Sequence, residues 1–315
     1  MGMPRRRVAG WAAAALLLLL AAGCATRAGG AASSPSSSPI PSRPTPAASD
    51  RLVLQVRHVG GFLPPGVAAA SLPVVSIYGD GRVITQGPVP AIYPGFALPN
   101  VQVRRISTAD VGRLVDRALA AGVRETTDLG RPGVMDAATT RITVATDSGT
   151  YVRDAYALAE ARGDTRTGGG IGRPTGVAVN VLSPEQQAAR AKLLDLVNAL
   201  TDLEGTLGAG AVGPSAPYAP VAVAAVVRPW ASVSRPQDPP QPERPWPGPA
   251  LPGEPLAAGV GVTCVSASGG AATAVLTAAR QANALTPWAS ADGRTWSVAF
   301  RPLLPHESGC ADLAG

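Results

Sequence analysis

Histidine is almost missing from this chain of 315 residues, with only His58 and His306 present. Cysteine is nearly as scarce, at Cys24, Cys264 and Cys310, and Lys192 is the single lysine. These shortages narrow the chemistry. A Ser-His-Asp hydrolase needs its serine on a tight, exposed turn, and no GxSxG stretch occurs. There is no HExxH, EF-hand loop, paired-acid motif or nucleotide fingerprint. No metal and no organic cofactor is therefore expected. Nor is there a Lys/Arg block interleaved with aromatics, which argues against a nucleic-acid partner.

What is abundant begins at the N-terminus. Arg5, Arg6 and Arg7 precede an apolar run from Val8 to Ala22. The run is shorter than the ~20 residues that span a bilayer, and it has the length of a signal-peptide apolar region. It closes on Leu20-Ala21-Ala22-Gly23-Cys24. Small residues before a cut let the chain lie extended in a peptidase, and the cysteine supplies a nucleophilic sulfur. This stretch resembles the lipobox of bacterial lipoproteins, with Ala21 where leucine is commonest. The resemblance implies that residues 1–23 are a signal peptide and that Cys24 becomes the lipidated first residue, holding the protein on the outer face of the cell membrane. Residues 24–50 are mostly Ser, Pro, Ala, Gly and Thr and are expected to form a solvated tether.

The formal net charge is +6, from 27 basic and 21 acidic residues. Setting aside Arg5, Arg6 and Arg7 leaves 24 basic against 21 acidic, so the mature chain is only weakly basic. With Cys24 lipidated, Cys264 and Cys310 remain as a pair. In an oxidising compartment two such thiols join as a disulfide. The alternatives are two free thiols or a metal pair, and the spacing, without nearby His or a CxxC, is poor for metal.

Along the chain, LVLQVRHV (52–59) reads as a strand and 72–87 as a hairpin turning at Gly79-Asp80-Gly81. The proline-rich stretch 88–100 predicts an irregular connection. Residues 106–123 predict a helix capped by Ser107 or Thr108, with Asp110 completing a weak capping box. A second hairpin is expected over 139–158 around Asp147-Ser148-Gly149, and a glycine-rich loop over 160–176. The clearest helix is 182–203, with Ser183 as cap, Pro184 at the first position and Gln186 closing a capping box. Then come a buried strand (221–227), a strand (259–265), a helix (270–285) and a third hairpin (287–305) around Asp292-Gly293. The proline-dominated segment 228–255 favours polyproline II, as an interdomain linker or as an insertion between two strands. Hairpins alternating with helices predict an α+β architecture of antiparallel sheet covered by helices. We divide it into domains 51–212 and 213–315, which could be related subdomains.

Several phrases resemble an uncharacterised lipoprotein family of high-GC Gram-positive bacteria: LPVVSIYGDGRVI (72–84), ALPNVQVRRIS (97–107) and WSVAFRPLLPHESGC (296–310). That resemblance implies an extracytoplasmic address and carries no chemistry.

Candidate site residues are few. His306 beside Glu307 and His58 beside Arg57 are the only imidazoles, and a solvated loop position and an exposed edge strand are the simpler readings. GGGIG (168–172) lacks the GK[ST] ending of a phosphate loop. Tyr78, Asp80 and Arg82 surround one turn, where turn chemistry accounts for the aspartate. Trp246, between prolines, could dock a partner or a sugar, but packing back onto its own domain is preferred. Trp288 and Trp296 read as core or cross-strand contacts, and Trp230 lies at the start of the proline-rich segment. Arg301-Pro302-Leu303-Leu304-Pro305 reads as a structural plug ahead of Cys310. The expected function is a non-catalytic binding or scaffold protein of the cell envelope, with an envelope protein or wall polymer as partner. An envelope hydrolase and an extracellular protease inhibitor are the rival expectations.

Overall fold

The computed structural model describes residues 48–161, 182–230, 241–256 and 261–313. The signal-peptide stretch, Cys24, nearly all of the tether, GGGIG, residues 231–240 and the start of the strand expected at 259 lie outside the described residues. Residues Arg43–Gly315 belong to one unit, and its architecture is α+β with two sheets rich in antiparallel pairing.

The first sheet grows from β1 (Leu52–Val59), whose β-branched and aliphatic residues suit a pleated surface. β2 (Val75–Tyr78) and β3 (Arg82–Gln86) form the first expected hairpin. Its turn depends on glycine: Gly81 has φ +85°, and a Cβ there would come within 2.1 Å of the Ile106 carbonyl oxygen. The Asp80 carboxylate accepts from the Arg82 backbone N–H at 3.1 Å, as an aspartate in a turn does. β4 (Val101–Arg105) follows, then β5 (Thr139–Thr146) and β6 (Gly149–Tyr156) as the second hairpin. A two-residue strand, β7 (Ala216–Pro217), completes an antiparallel sheet of order β6-β5-β1-β2-β3-β4-β7. Thus β1 is an interior strand, paired on both sides, and the expectation that His58 sits on an edge strand is corrected. His58 is exposed because it lies near the strand's end.

One face of this sheet is closed by helices. α1 (Pro65–Ala70) is a short helix elsewhere in the molecule; α2 (Thr108–Ala120) and α3 (Pro184–Thr201) lie over Leu54, Val56, Ile77, Ile142 and Val144. Ser107 caps α2 by accepting from the Asp110 N–H at 3.1 Å. The capping box of α3 is complete, with Gln186 N–H on the Ser183 hydroxyl and Ser183 N–H on the Gln186 side chain. The helix expected to run to 203 stops at Thr201. Asp202 accepts from the Gly205 N–H and starts a new short helix, α4 (Leu203–Leu207).

The second sheet is built around β8 (Ala222–Pro229). The proline-rich segment is an insertion between β8 and β11 (Thr263–Ser268), and it supplies both edges: β9 (Arg244–Pro245) and β10 (Glu254–Pro255). Proline lacks the N–H of a central strand but fits an edge, so part of the expected polyproline segment is edge strand. β12 (Pro287–Ala289) and β13 (Thr295–Pro302) form the third hairpin, in the order β10-β11-β8-β13-β12-β9. α5 (Gly269–Arg280) covers the outer face, over Val223, Ala225, Val227 and Phe300. It ends five residues before the expected boundary, because the Asn283 side chain accepts from the Leu285 N–H and turns the chain. Trp288 and Trp296 face each other across β12 and β13. Trp246 meets Trp288 edge-on at 5.7 Å and stacks near Phe300, so the indole pins the insertion to its own sheet.

The Cys264 and Cys310 sulfurs lie at disulfide distance, 2.02 Å, and tie β11 to the C-terminal turn. Replacing both by serine should lower unfolding free energy by ~4 kcal/mol on the chain-entropy account of a loop this long. Urea titration of the double variant measures it; an unchanged midpoint would show that the bond constrains nothing.

Candidate functional site

The two sheets leave a space between their inner faces, and it is filled unevenly. On the first sheet, Gln55, Arg57 and Val59 alternate with the core residues Leu54 and Val56 of β1, so they face away from α2 and α3. On the second, Ala224 and Val226 face away from α5 and pack with Leu303, Leu313 and Cys264. The C-terminal run after β13 bridges the two. Leu303 enters the cluster on the second sheet, and the adjacent Leu304 enters a different cluster with Tyr78, Ile84 and Val101 on the first. The reading of this run as a plug agrees with that placement.

A buried polar network stands beside the leucines. Arg301 pairs with Glu307 at 2.7 Å, their side chains only 2% and 7% exposed. The second carboxylate oxygen of Glu307 accepts from the Leu304 N–H at 2.7 Å, and Arg301 also donates to the Pro302 and Ser71 carbonyls. The Tyr78 hydroxyl is 2.8 Å from His306 Nδ1, and the Tyr218 hydroxyl donates to the Leu303 carbonyl at 2.9 Å. Arg82 lies over the Tyr78 ring and is held by Asp50 and Asp80. Burial raises the Tyr78 phenol well above its usual range, with Glu307 adding to the effect. Burial and then Glu307 push the Tyr218 phenol up to about 12. His306 is therefore a bridge between the C-terminal run and the first sheet, rather than a solvated loop residue.

Further along the same space, the filling fails. A cleft of about 780 Å³ opens between Arg57, His58 and Val59 of β1 on one side and Ala299 of β13 on the other. Helix α1 forms its wall with Val67, Ala68, Ala69 and Ala70, and Leu256, Val262 and Leu313 contribute more apolar surface. The short α1 sits here because Gly66 is buried close to the Arg228 stem, 3.1 Å from where a Cβ would be. Arg57 is half-buried in the wall and, among the described residues, its guanidinium makes no hydrogen bond or ion pair. Its pKa is lowered, first by burial and then by Arg141 and Arg301, with Glu307 opposing.

A second recess, about 400 Å³, lies among Thr127, Asp128, Arg131, Arg153 and Asp154. Its charges largely have partners: Arg153 donates to the Glu125 and Thr127 carbonyls, and Asp154 pairs with Arg141 at 2.8 Å. The apolar cleft is the better candidate. Of the residues singled out from sequence, His58 lines it, while His306, Tyr78 and the Arg82 turn belong to the polar network beside it. Trp230, Trp246, Trp288 and Trp296 do not line it. Arg57, α1 and Ala299 were missed, for the cleft joins segments far apart in sequence. Among the described residues no group of metal-ligating side chains occurs, and no helix is long and apolar enough to cross a membrane.

Two outcomes follow from the network. Glu307→Gln leaves the Arg301 guanidinium buried without a counter-charge and should cost ~3 kcal/mol or more of stability, read by urea unfolding. Because the folded phenol of Tyr218 ionises only near about 12 while a free phenol ionises near 10, its contribution is intact below pH 10. It is lost as pH rises towards 12. Stability measured across that window should fall less steeply for Tyr218→Phe than for the unaltered chain.

Comparison with protein-family models, with curated proteins and with solved structures finds no match to this chain.

Proposed function

We propose that this chain is a lipid-anchored protein of the extracytoplasmic membrane face that holds a small apolar molecule in the cleft between its sheets. The observation that carries the binding half is the cleft itself. Its volume falls within the ~300–1,000 Å³ of small-molecule sites, and such sites are mostly apolar with a few placed polar groups. Alanines on α1 keep the wall thin where larger side chains would fill it. The anchoring half rests on the Leu20–Cys24 lipobox resemblance and the Ser/Pro tether behind it. A tether of this kind lets the folded unit work near the membrane without being embedded in it.

Nothing in this reading requires catalysis. The imidazole of His306 is engaged with a buried phenol. The role is to hold, shield or pass on a molecule that water solvates poorly.

Two measurements test the two halves. In cell fractionation the unaltered chain should follow membranes and Cys24→Ala should appear in the soluble extracytoplasmic fraction; identical fractionation of the two would refute the anchor. The intact Cys24→Ala chain should bind the neutral fluorescent probe phenylnaphthylamine saturably. Ala68→Trp, which places an indole in the cleft from a position outside the buried clusters, should weaken that binding at least tenfold. No saturable binding, or equal binding by Ala68→Trp, would refute the cleft as a site.

A further inference from the structure

The cleft is apolar along most of its length, yet one wall carries a cation that has no ion-pair partner among the described residues. Arg57 lines it, half-buried, and its cross-strand neighbour Arg141 is already matched by Asp154. The carboxylate that acts on Arg57 is Glu307, and Glu307 is already engaged, pairing with Arg301 and accepting from the Leu304 N–H. Arg57 is the one arginine or lysine among the side chains lining the cleft, and Arg301 and Glu307 neutralise each other behind it. His58 is the other titratable side chain lining the cleft. A guanidinium offers a planar fork that matches a carboxylate with two parallel hydrogen bonds.

The opening has a matching character. Phe62 is 86% exposed next to Leu63 and Val67, which line the cleft and are about half exposed. An apolar rim beside an apolar cavity eases entry of a chain that avoids water.

We infer that the cleft binds a free long-chain fatty acid, its carboxylate on Arg57 and its tail along α1 towards Leu256 and Val262. This rests on the reading of the cleft as a binding site and adds the ligand's charge and class. A single negative charge balances the single excess positive one. A ligand with a doubly charged headgroup would overcompensate it, and a neutral lipid would leave Arg57 half-buried without a partner.

The test uses parinarate, a fluorescent long-chain carboxylate, beside its methyl ester, on the intact Cys24→Ala chain. The expected result is saturable binding of parinarate, at least tenfold tighter than the ester. Arg57→Gln should reduce parinarate affinity at least tenfold and leave the ester unchanged. Arg57→Lys should retain most of the affinity, and thermal unfolding of each variant checks that the fold is intact. If acid and ester bind equally and Arg57→Gln alters neither, the fatty-acid inference fails while the cleft stands as a neutral apolar site. If neither probe binds, and phenylnaphthylamine does not bind either, the cleft reading fails with it.

Discussion

Arg301 and Glu307 fix the C-terminal run that packs between the molecule's two sheets. A buried pair is weakly stabilising against an apolar substitute, but it is costly to break, and it demands a particular geometry. Here the geometry is shared: Glu307 also fixes the backbone at Leu304, and Arg301 reaches the Ser71 carbonyl just past α1. The pair therefore sets where Leu303 and Leu304 go. One leucine enters the core of the second sheet and the next enters the core of the first. The Cys264–Cys310 contact closes the run from its far end.

The cleft is the other side of that constraint. Two sheets, each with a helical layer on its outer face, must still cover their inner faces. Near Tyr78 the C-terminal leucines do so. Near Arg57 the cover is α1, a helix of six residues whose side chains at 68 to 70 are all alanine. A small-residue helix cannot fill the gap that two leucines fill elsewhere, and space remains. The cleft thus follows from uneven packing between layers, and its charge follows from a strand residue that has no counter-ion among the described residues.

Much of the fold is legible in the amino-acid order. Local signals that carry their own chemistry are legible: the Asp-Gly turns, the Ser183–Gln186 capping box, and the facing tryptophans of the third hairpin. Boundaries moved where a side chain intervened in a way that periodicity does not report, as Asp202 and Asn283 do. The edge role of the proline-rich segment required knowing its neighbours. The candidate site was mostly illegible. Arg57 reads as a surface cation in sequence, and it becomes notable only because Ala299 and Leu313, from the far end of the chain, form the opposite wall. His306 illustrates the reverse: it reads as a loop residue, yet its partner is a phenol on a central strand.

The proline-rich insertion has one more effect. A sheet has two edges, and an open edge is a template for pairing with another chain. Among the described residues, three of the four edge strands, β7, β9 and β10, are two residues long and end on a proline: Pro217, Pro245 and Pro255. Each offers too few backbone groups to recruit a neighbour. Among the described residues only β6, with eight residues and no proline, presents a continuous row of hydrogen-bonding groups. Copies crowded together at high local density, as on a surface, would have a single seam along which strands could zip, so the composition that makes the chain look poorly structured is what keeps its sheets apart from those of its neighbours.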